Sequence, residues 1–169
     1  TLSLHDALPI CRHDQFWYDE AMKKLPALTG ATRMLVCAED LGMVPTCVPW
    51  VMNDLRILTL EIQSMSKNPD YEFGHLEENP YRSVATISTH DMATLRGWWD
   101  EDAERTQRFY NYMLQKDGDA PHPMPGWLCE EVVARHLFCP SMLCLLSLQD
   151  WLSMDEQLRY PDADFERIK

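Results

Sequence analysis

Three pairs of polar residues stand directly after short apolar runs. Glu39-Asp40 follows Met34-Leu35-Val36-Cys37-Ala38. His90-Asp91 follows Ser83-Val84-Ala85-Thr86-Ile87 through Ser88-Thr89, and Gln149-Asp150 follows the run 142–148. Carboxyl groups gathered on one rim suit glycoside chemistry, in which one carboxylic acid protonates a leaving oxygen while others stabilise an oxocarbenium-like transition state. Glu-Asp and His-Asp pairs also serve as helix caps and solvated loop ends, so residue type alone leaves both roles open.

For these pairs to share a rim, the runs before them must be parallel strands. The run 34–38 is short, continuous and apolar, the pattern of a strand buried on both faces. Runs 57–62, 83–87 and 142–148 read as three further strands. Between them lie amphipathic segments. Residues 14–25 carry Phe16, Trp17, Met22 and Leu25 on one helical face, closed by Gly30. A second helix is expected after Gly42 and Pro45, packing through Val48, Val51, Met52 and Leu55. Two more are expected at about 102–115 and 128–137, around a turn-rich segment at 117–126. Residues 67–81, with Pro69, Gly74, Asn79 and Pro80, read as a long loop of the kind that is often functional. Strands alternating with helices imply right-handed βαβ units and an α/β class with a parallel sheet, whose active sites form at the C-terminal strand ends.

Composition bounds the rest. The 169 residues are 46% hydrophobic and 25% charged, which suits one soluble globular domain. A formal net charge of −12 opposes nucleic acid and anionic membrane as partners, since both are polyanions that recruit Lys and Arg clusters. A neutral ligand fits better. No apolar run approaches the roughly 20 residues of a membrane span. Cys11, Cys37, Cys47, Cys129, Cys139 and Cys144 have neither CxxC nor metal-ligand spacing, so they read as reduced thiols in a cytoplasmic protein with no metal site.

Residues 1–10 read as the translation of ACT-CTT-TCC-CTA-CAC-GAC-GCT-CTT-CCG-ATC, which resembles a common short-read sequencing adapter. They are expected to be non-native and are set aside from fold reasoning, so His5 and Asp6 carry no chemistry, and Cys11 is itself suspect.

The ordered motifs Ala38-Glu39-Asp40-Leu41-Gly42, Ser88-Thr89-His90-Asp91 and Leu148-Gln149-Asp150 resemble those of glycoside hydrolase family 77, the amylomaltases. The stretch Thr89-His90-Asp91-Met92-Ala93-Thr94-Leu95-Arg96-Gly97-Trp98-Trp99 is most similar to the branch of bacterial and plant cytosolic disproportionating enzymes. It departs from the usual pattern where Met92 and Ala93 replace Asn and Asp. The resemblance covers residues 12–169. It implies the C-terminal half, about strands five to eight, of a (β/α)8 TIM barrel, truncated at both ends. It further implies a retaining 4-α-glucanotransferase acting on maltooligosaccharides or α-1,4-glucan without a cofactor. Glu39 would be the acid/base and Asp91 the transition-state stabiliser, with His90 hydrogen-bonding the same sugar. The nucleophilic Asp of an Arg-Ile-Asp-His motif would lie before Cys11, since this chain has none.

Asp40, Trp98, Gln149 and Asp150 are candidate sugar contacts. Each also has a plain structural role open to it: bracing a loop for Asp40, core packing for Trp98, capping the next helix for Gln149 and Asp150. His75 and Tyr81 are weaker candidates for a loop over the donor site, and Glu61 ends a strand with no role to assign. Glu130-Glu131 and Asp100-Glu101-Asp102 read as solvated faces. Two other readings stand beside the catalytic one: a non-catalytic glucan-binding fragment, and an unstable truncated product whose half-barrel leaves edge strands unpaired.

Overall fold

The computed structural model describes residues 4–167, with side chains from Arg12 onward. The chain divides into two compact units, Thr1–Leu60 and Glu61–Lys169.

The first unit is built from two helices and a short bridged pair of segments. Helix α1 spans Leu4–Gly30, longer at both ends than the amphipathic face at 14–25 predicts. The backbone of residues 4–10, expected to be non-native, lies in this helix, while residues 1–3 fall outside the described residues. Helix α2, Val48–Leu55, carries Pro49 in its first turn and ends at Arg56 in the left-handed conformation. The two helices are tied by Tyr18 Oη donating to Asp54 Oδ2 at 2.7 Å, and Thr46 Oγ1 donates to the buried Asp14.

The expected strand at 34–38 does not form. A single parallel bridge joins Cys37 to Leu58, through Leu58 N donating to Val36 O at 2.8 Å and Ala38 N donating to Leu58 O at 2.9 Å. Met34 is 76% exposed and Leu35 is exposed as well, so the run is not buried on both faces. An apolar run becomes a central strand only when neighbours cover both its edges and its faces. Among the described residues it bridges one segment only.

The second unit holds most of the sheet. Strands β1 (Thr59–Ile62), β2 (Ser83–Thr86) and β3 (Leu143–Cys144) form a three-stranded sheet in that order, with β1 carrying the chain across the unit boundary. Strands β2 and β3 are parallel, with Val84 opposite Leu143 and Ala85 opposite Cys144. Every residue of β2 is buried, as its apolar run predicts. Strand β3 is much shorter than its expected span. Ser147 caps helix α6 (Leu148–Leu152), and the helix takes over the end of the run.

At the entry of β2 and β3, Ser83 Oγ donates to Ser141 Oγ at 2.7 Å and Asn79 Nδ2 donates to it at 3.0 Å, locking the two strand starts. Between the strands run α3 (Leu95–Glu101), α4 (Ala103–Arg108) and α5 (Gly126–Leu137). The residue pattern did not anticipate α3. It is broken from α4 at Asp102, whose extended backbone ends one helix while its side chain accepts from Arg105 N to begin the next. Helix α4 then loosens into a π-helical turn, Phe109–Met113.

The core packs Trp99, Phe109, Met124, Leu128 and Val132 against Phe73 and Ile87. Full burial of each such side chain contributes about 1.5–3 kcal/mol. Trp99 is wholly buried, and its indole N–H is satisfied by Pro121 O at 2.9 Å.

The acidic runs are not simply solvated. Asp100 Oδ1 accepts from Met124 N at 3.2 Å and lies 3.0 Å from His122 Nδ1. Glu131 is held by Lys116 at 2.8 Å and Arg135 at 3.1 Å. Both sit where backbone N–H groups or cations need a carboxylate partner.

Candidate active site

In the first unit Glu39 follows the bridged segment directly and its side chain is exposed. The turn after it needs the left-handed conformation at Gly42, where φ is +73°, a value that suits glycine. Asp40 is engaged in that turn. Its Oδ2 accepts from Thr59 Oγ1 at 2.6 Å and its Oδ1 from Leu60 N at 3.0 Å, so it fastens the loop to the start of β1. A cavity of about 600 Å³ opens beside Glu39 and Asp40. Its remaining walls are largely apolar, with Trp17 and Leu25 from α1 and Val48 and Val51 from α2.

In the second unit β2 leads through Ile87 to His90 and Asp91, with Met92 N donating to Thr89 O at 3.1 Å to close the turn. His90 Nε2 lies 3.2 Å from Asp91 Oδ2, and the two side chains are 73% and 74% exposed. The capping role open to Asp91 falls instead to Thr94, whose hydroxyl accepts from Gly97 N at 3.4 Å. Asp91 therefore keeps an exposed carboxylate while Arg167 donates to its backbone carbonyl at 3.2 Å.

The other candidates take protein partners. Asp150 is 1% exposed and forms a capping box with Ser147: its Oδ2 accepts from Ser147 N at 2.7 Å, and Ser147 Oγ accepts from Asp150 N at 3.1 Å. Burial pushes its carboxyl above the ordinary value, offset in part by the hydrogen bonds from Ser147. The box was legible in Ser147-Leu148-Gln149-Asp150, which has the spacing the motif requires. Gln149 Nε2 donates to Glu166 O at 3.3 Å.

Trp98 packs edge-on to Phe73 and Phe109, with Arg105 4.5 Å over its ring. The cavity it borders, with Gln63 and His136, holds only about 20 Å³, room for a water and not for a pyranose. His75 faces the ring of Tyr71 and lies 3.3 Å from Glu77. Tyr81 is exposed, and its carbonyl accepts from Met142 N at 2.8 Å. That places it where β2 begins, at the opposite end of the strand from Asp91. Glu61 pairs with Lys67 at 3.0 Å. Nothing in the residue pattern signals Thr59 as the anchor of Asp40, or Arg167 beside Asp91, because both contacts join residues far apart in the chain.

Cys47, Cys129, Cys139 and Cys144 are free thiols, and burial raises Cys144 to about 11. Among the described residues no group of three or more His, Cys, Asp or Glu is placed to hold a metal ion. Nor is any described helix long and apolar enough to cross a membrane.

Comparison with known proteins bears on what this arrangement belongs to. The chain is 37% identical over 157 residues to the 4-alpha-glucanotransferase DPE2 of Oryza sativa subsp. japonica, a match covering 93% of this chain and 17% of that protein. It is 32% identical over 82 residues to a 4-alpha-glucanotransferase of Haemophilus influenzae, covering 48% of this chain and 12% of the relative. The chain thus spans less than a fifth of these relatives.

Among solved structures it is similar to an amylomaltase from Streptococcus agalactiae in complex with acarbose, with a TM-score of 0.53 and 15% identity over 74% of this chain and 25% of that one. An amylomaltase from Corynebacterium glutamicum gives a TM-score of 0.50 and 16% identity over 68% of this chain and 21% of the other. These likenesses place its small parallel α/β sheet in the TIM-barrel class of the amylomaltases. Residues 5–167 match the family described as 4-alpha-glucanotransferase, so the chain belongs to glycoside hydrolase family 77.

Proposed function

We propose that this chain is the C-terminal half of the catalytic barrel of a retaining 4-α-glucanotransferase, supplying two of its three working carboxyl residues. Glu39 is the acid/base. It protonates the leaving glycosidic oxygen and then takes the proton of the incoming glucan hydroxyl. Asp91, with His90 beside it, grips sugar hydroxyls and stabilises the oxocarbenium-like transition state. The nucleophilic aspartate comes from sequence preceding these residues. It stands about 5 to 5.5 Å from the acid/base in a retaining site, and the glycosyl-enzyme it forms is resolved by a sugar hydroxyl rather than water. The net reaction moves α-1,4-glucan segments between maltooligosaccharides or longer chains.

The observation that carries this reading is the sorting of the carboxylates that follow the apolar runs. Glu39 and Asp91 present exposed carboxyl groups, whereas Asp40 accepts from Thr59 and Leu60 with its two oxygens and Asp150 is buried, its Oδ2 held by Ser147 N. Asp40 then acts behind the sugar contacts by holding the loop that carries Glu39.

The experiment is Glu39→Gln in the complete enzyme. It removes the transferable proton at nearly constant shape, so turnover of maltotriose should fall by about 10² to 10⁴-fold. Glucan binding should stay close to wild type. Near-normal turnover in the variant would remove Glu39 from the acid/base role.

A further inference from the structure

A second cavity lies in the second unit, and nothing in the proposed reaction uses it. It holds about 440 Å³ and is bordered by Tyr112, Gln115, Glu77, Glu131, Arg135 and Phe138. Phe138 follows α5 and precedes the entry into β3. Strand β3 runs parallel to β2, whose far end leads to Asp91. Gln63, the residue that follows β1, lines it as well.

Three features of this wall are costly for a surface without a task. Tyr112 and Phe138 are 75% and 89% exposed, two aromatic rings offered to solvent at one cavity. Tyr112 is presented by the π-helical turn Phe109–Met113, a rare conformation that is frequent at functional sites. Gln115 follows with φ at +56°, a left-handed backbone that a side chain of this kind rarely adopts and that neighbouring contacts must hold in place. Those contacts are present: Lys116 N donates to Tyr110 O at 3.1 Å, and Arg135 Nη1 donates to Met113 O at 2.8 Å.

One carboxylate of this wall is already neutralised. Glu131 is paired with Lys116 and Arg135, and Glu77 lies beside His75. The carboxyl of Glu77 is held below its ordinary value, chiefly by a backbone hydrogen bond, so it offers acceptor oxygens at neutral pH. A cavity of this kind calls for a neutral ligand with an apolar face and a rim of hydroxyls. Each face of a pyranose is a patch of C–H groups that packs on an aromatic ring, and its edge is a ring of hydroxyls for the amide of Gln115 and the carboxylate of Glu77. The net charge of −12 argues against a polyanion here as it does elsewhere on the chain.

We infer that Tyr112 and Phe138, with Gln115 and Glu77, form a separate glucan-binding site that holds another stretch of the same polysaccharide without taking part in transfer. The inference rests on the proposed function for its choice of glucan, and on the cavity for its place.

The test is electrophoresis of the chain in native gels containing soluble starch, against gels without it and gels containing maltoheptaose as competitor. Wild type should be retarded by starch and released by maltoheptaose. Tyr112→Ala with Phe138→Ala should raise the apparent Kd at least about fivefold, and Tyr112→Leu with Phe138→Leu, which keeps apolar bulk without an aromatic face, should do the same. Glu77→Gln should give a smaller loss. Circular dichroism matched to wild type excludes misfolding as the cause. Equal retardation of wild type and both aromatic variants would overturn the site, as would a wild type that starch does not retard. Neither result touches the assignment of Glu39 and Asp91, which maltotriose turnover in the complete enzyme decides separately.

Discussion

Side chains of one chemical type meet different fates in this chain, decided by what surrounds them. Asp91 and Asp150 both follow apolar runs, yet one is exposed beside His90 and the other is buried as the acceptor of a capping box. His136 carries the same lesson for imidazoles. It is 1% exposed, its Nδ1 lies 2.8 Å from Val132 O, and burial holds its pKa below the ordinary 6.5. The unfolded chain therefore takes up a proton first as pH falls from about 6.5. The stabilising contribution is complete above that value and is lost toward the lower folded pKa, with a slope of at most about 1.4 kcal/mol per pH unit. His136→Leu should flatten this dependence, so that urea-unfolding free energies at pH 7 and pH 5.5 lie closer together than in wild type. An unchanged difference between the two pH values would show that His136 is not the group responsible.

Helix α5 and the segment after α6 meet at a backbone approach that only glycine permits. A Cβ on Gly126 would lie 2.4 Å from Met154 O, and Gly126 N donates to Glu156 at 3.1 Å. Elsewhere in a helix glycine costs stability relative to alanine, but here the added methyl has nowhere to go. Gly126→Ala should lower unfolding stability by about 1–3 kcal/mol, read as a lower urea midpoint at unchanged slope. A raised midpoint would mean the propensity gain outweighs the clash. At this scale the sequence was informative about existence and weaker about extent. Strands β1 and β2 and helices α1, α2 and α5 were legible in apolar runs and helical faces, because those patterns are local. The run 34–38 has the residues of a strand but gains only the bridge to Leu58, since strand formation requires a partner that the run itself cannot specify. The π-helical turn at Phe109–Met113 left no mark in the periodicity.

For the whole molecule, the proposed chemistry needs a nucleophile that these 169 residues do not carry in the expected motif, so the chain alone should not disproportionate maltotriose. Chromatography of the incubated mixture should contain maltotriose only, and longer maltooligosaccharides would overturn the division of roles proposed for Glu39 and Asp91. The motifs around Glu39, His90-Asp91 and Gln149-Asp150, the acidic balance and the alternation of apolar runs with helical faces were fixed by residue order, because each is written in neighbouring positions. Family membership was legible from the same residues. Tertiary structure decided which of these groups remain exposed. Thr59 and Leu60 take up Asp40, Ser147 takes up Asp150, and Phe73, Phe109 and Arg105 enclose Trp98. It also decided contacts such as the buried pair of Arg96 and Glu166, 70 residues apart. A hydrogen bond or ion pair between distant residues depends on the path of the chain between them, and that path is settled only when the core packs.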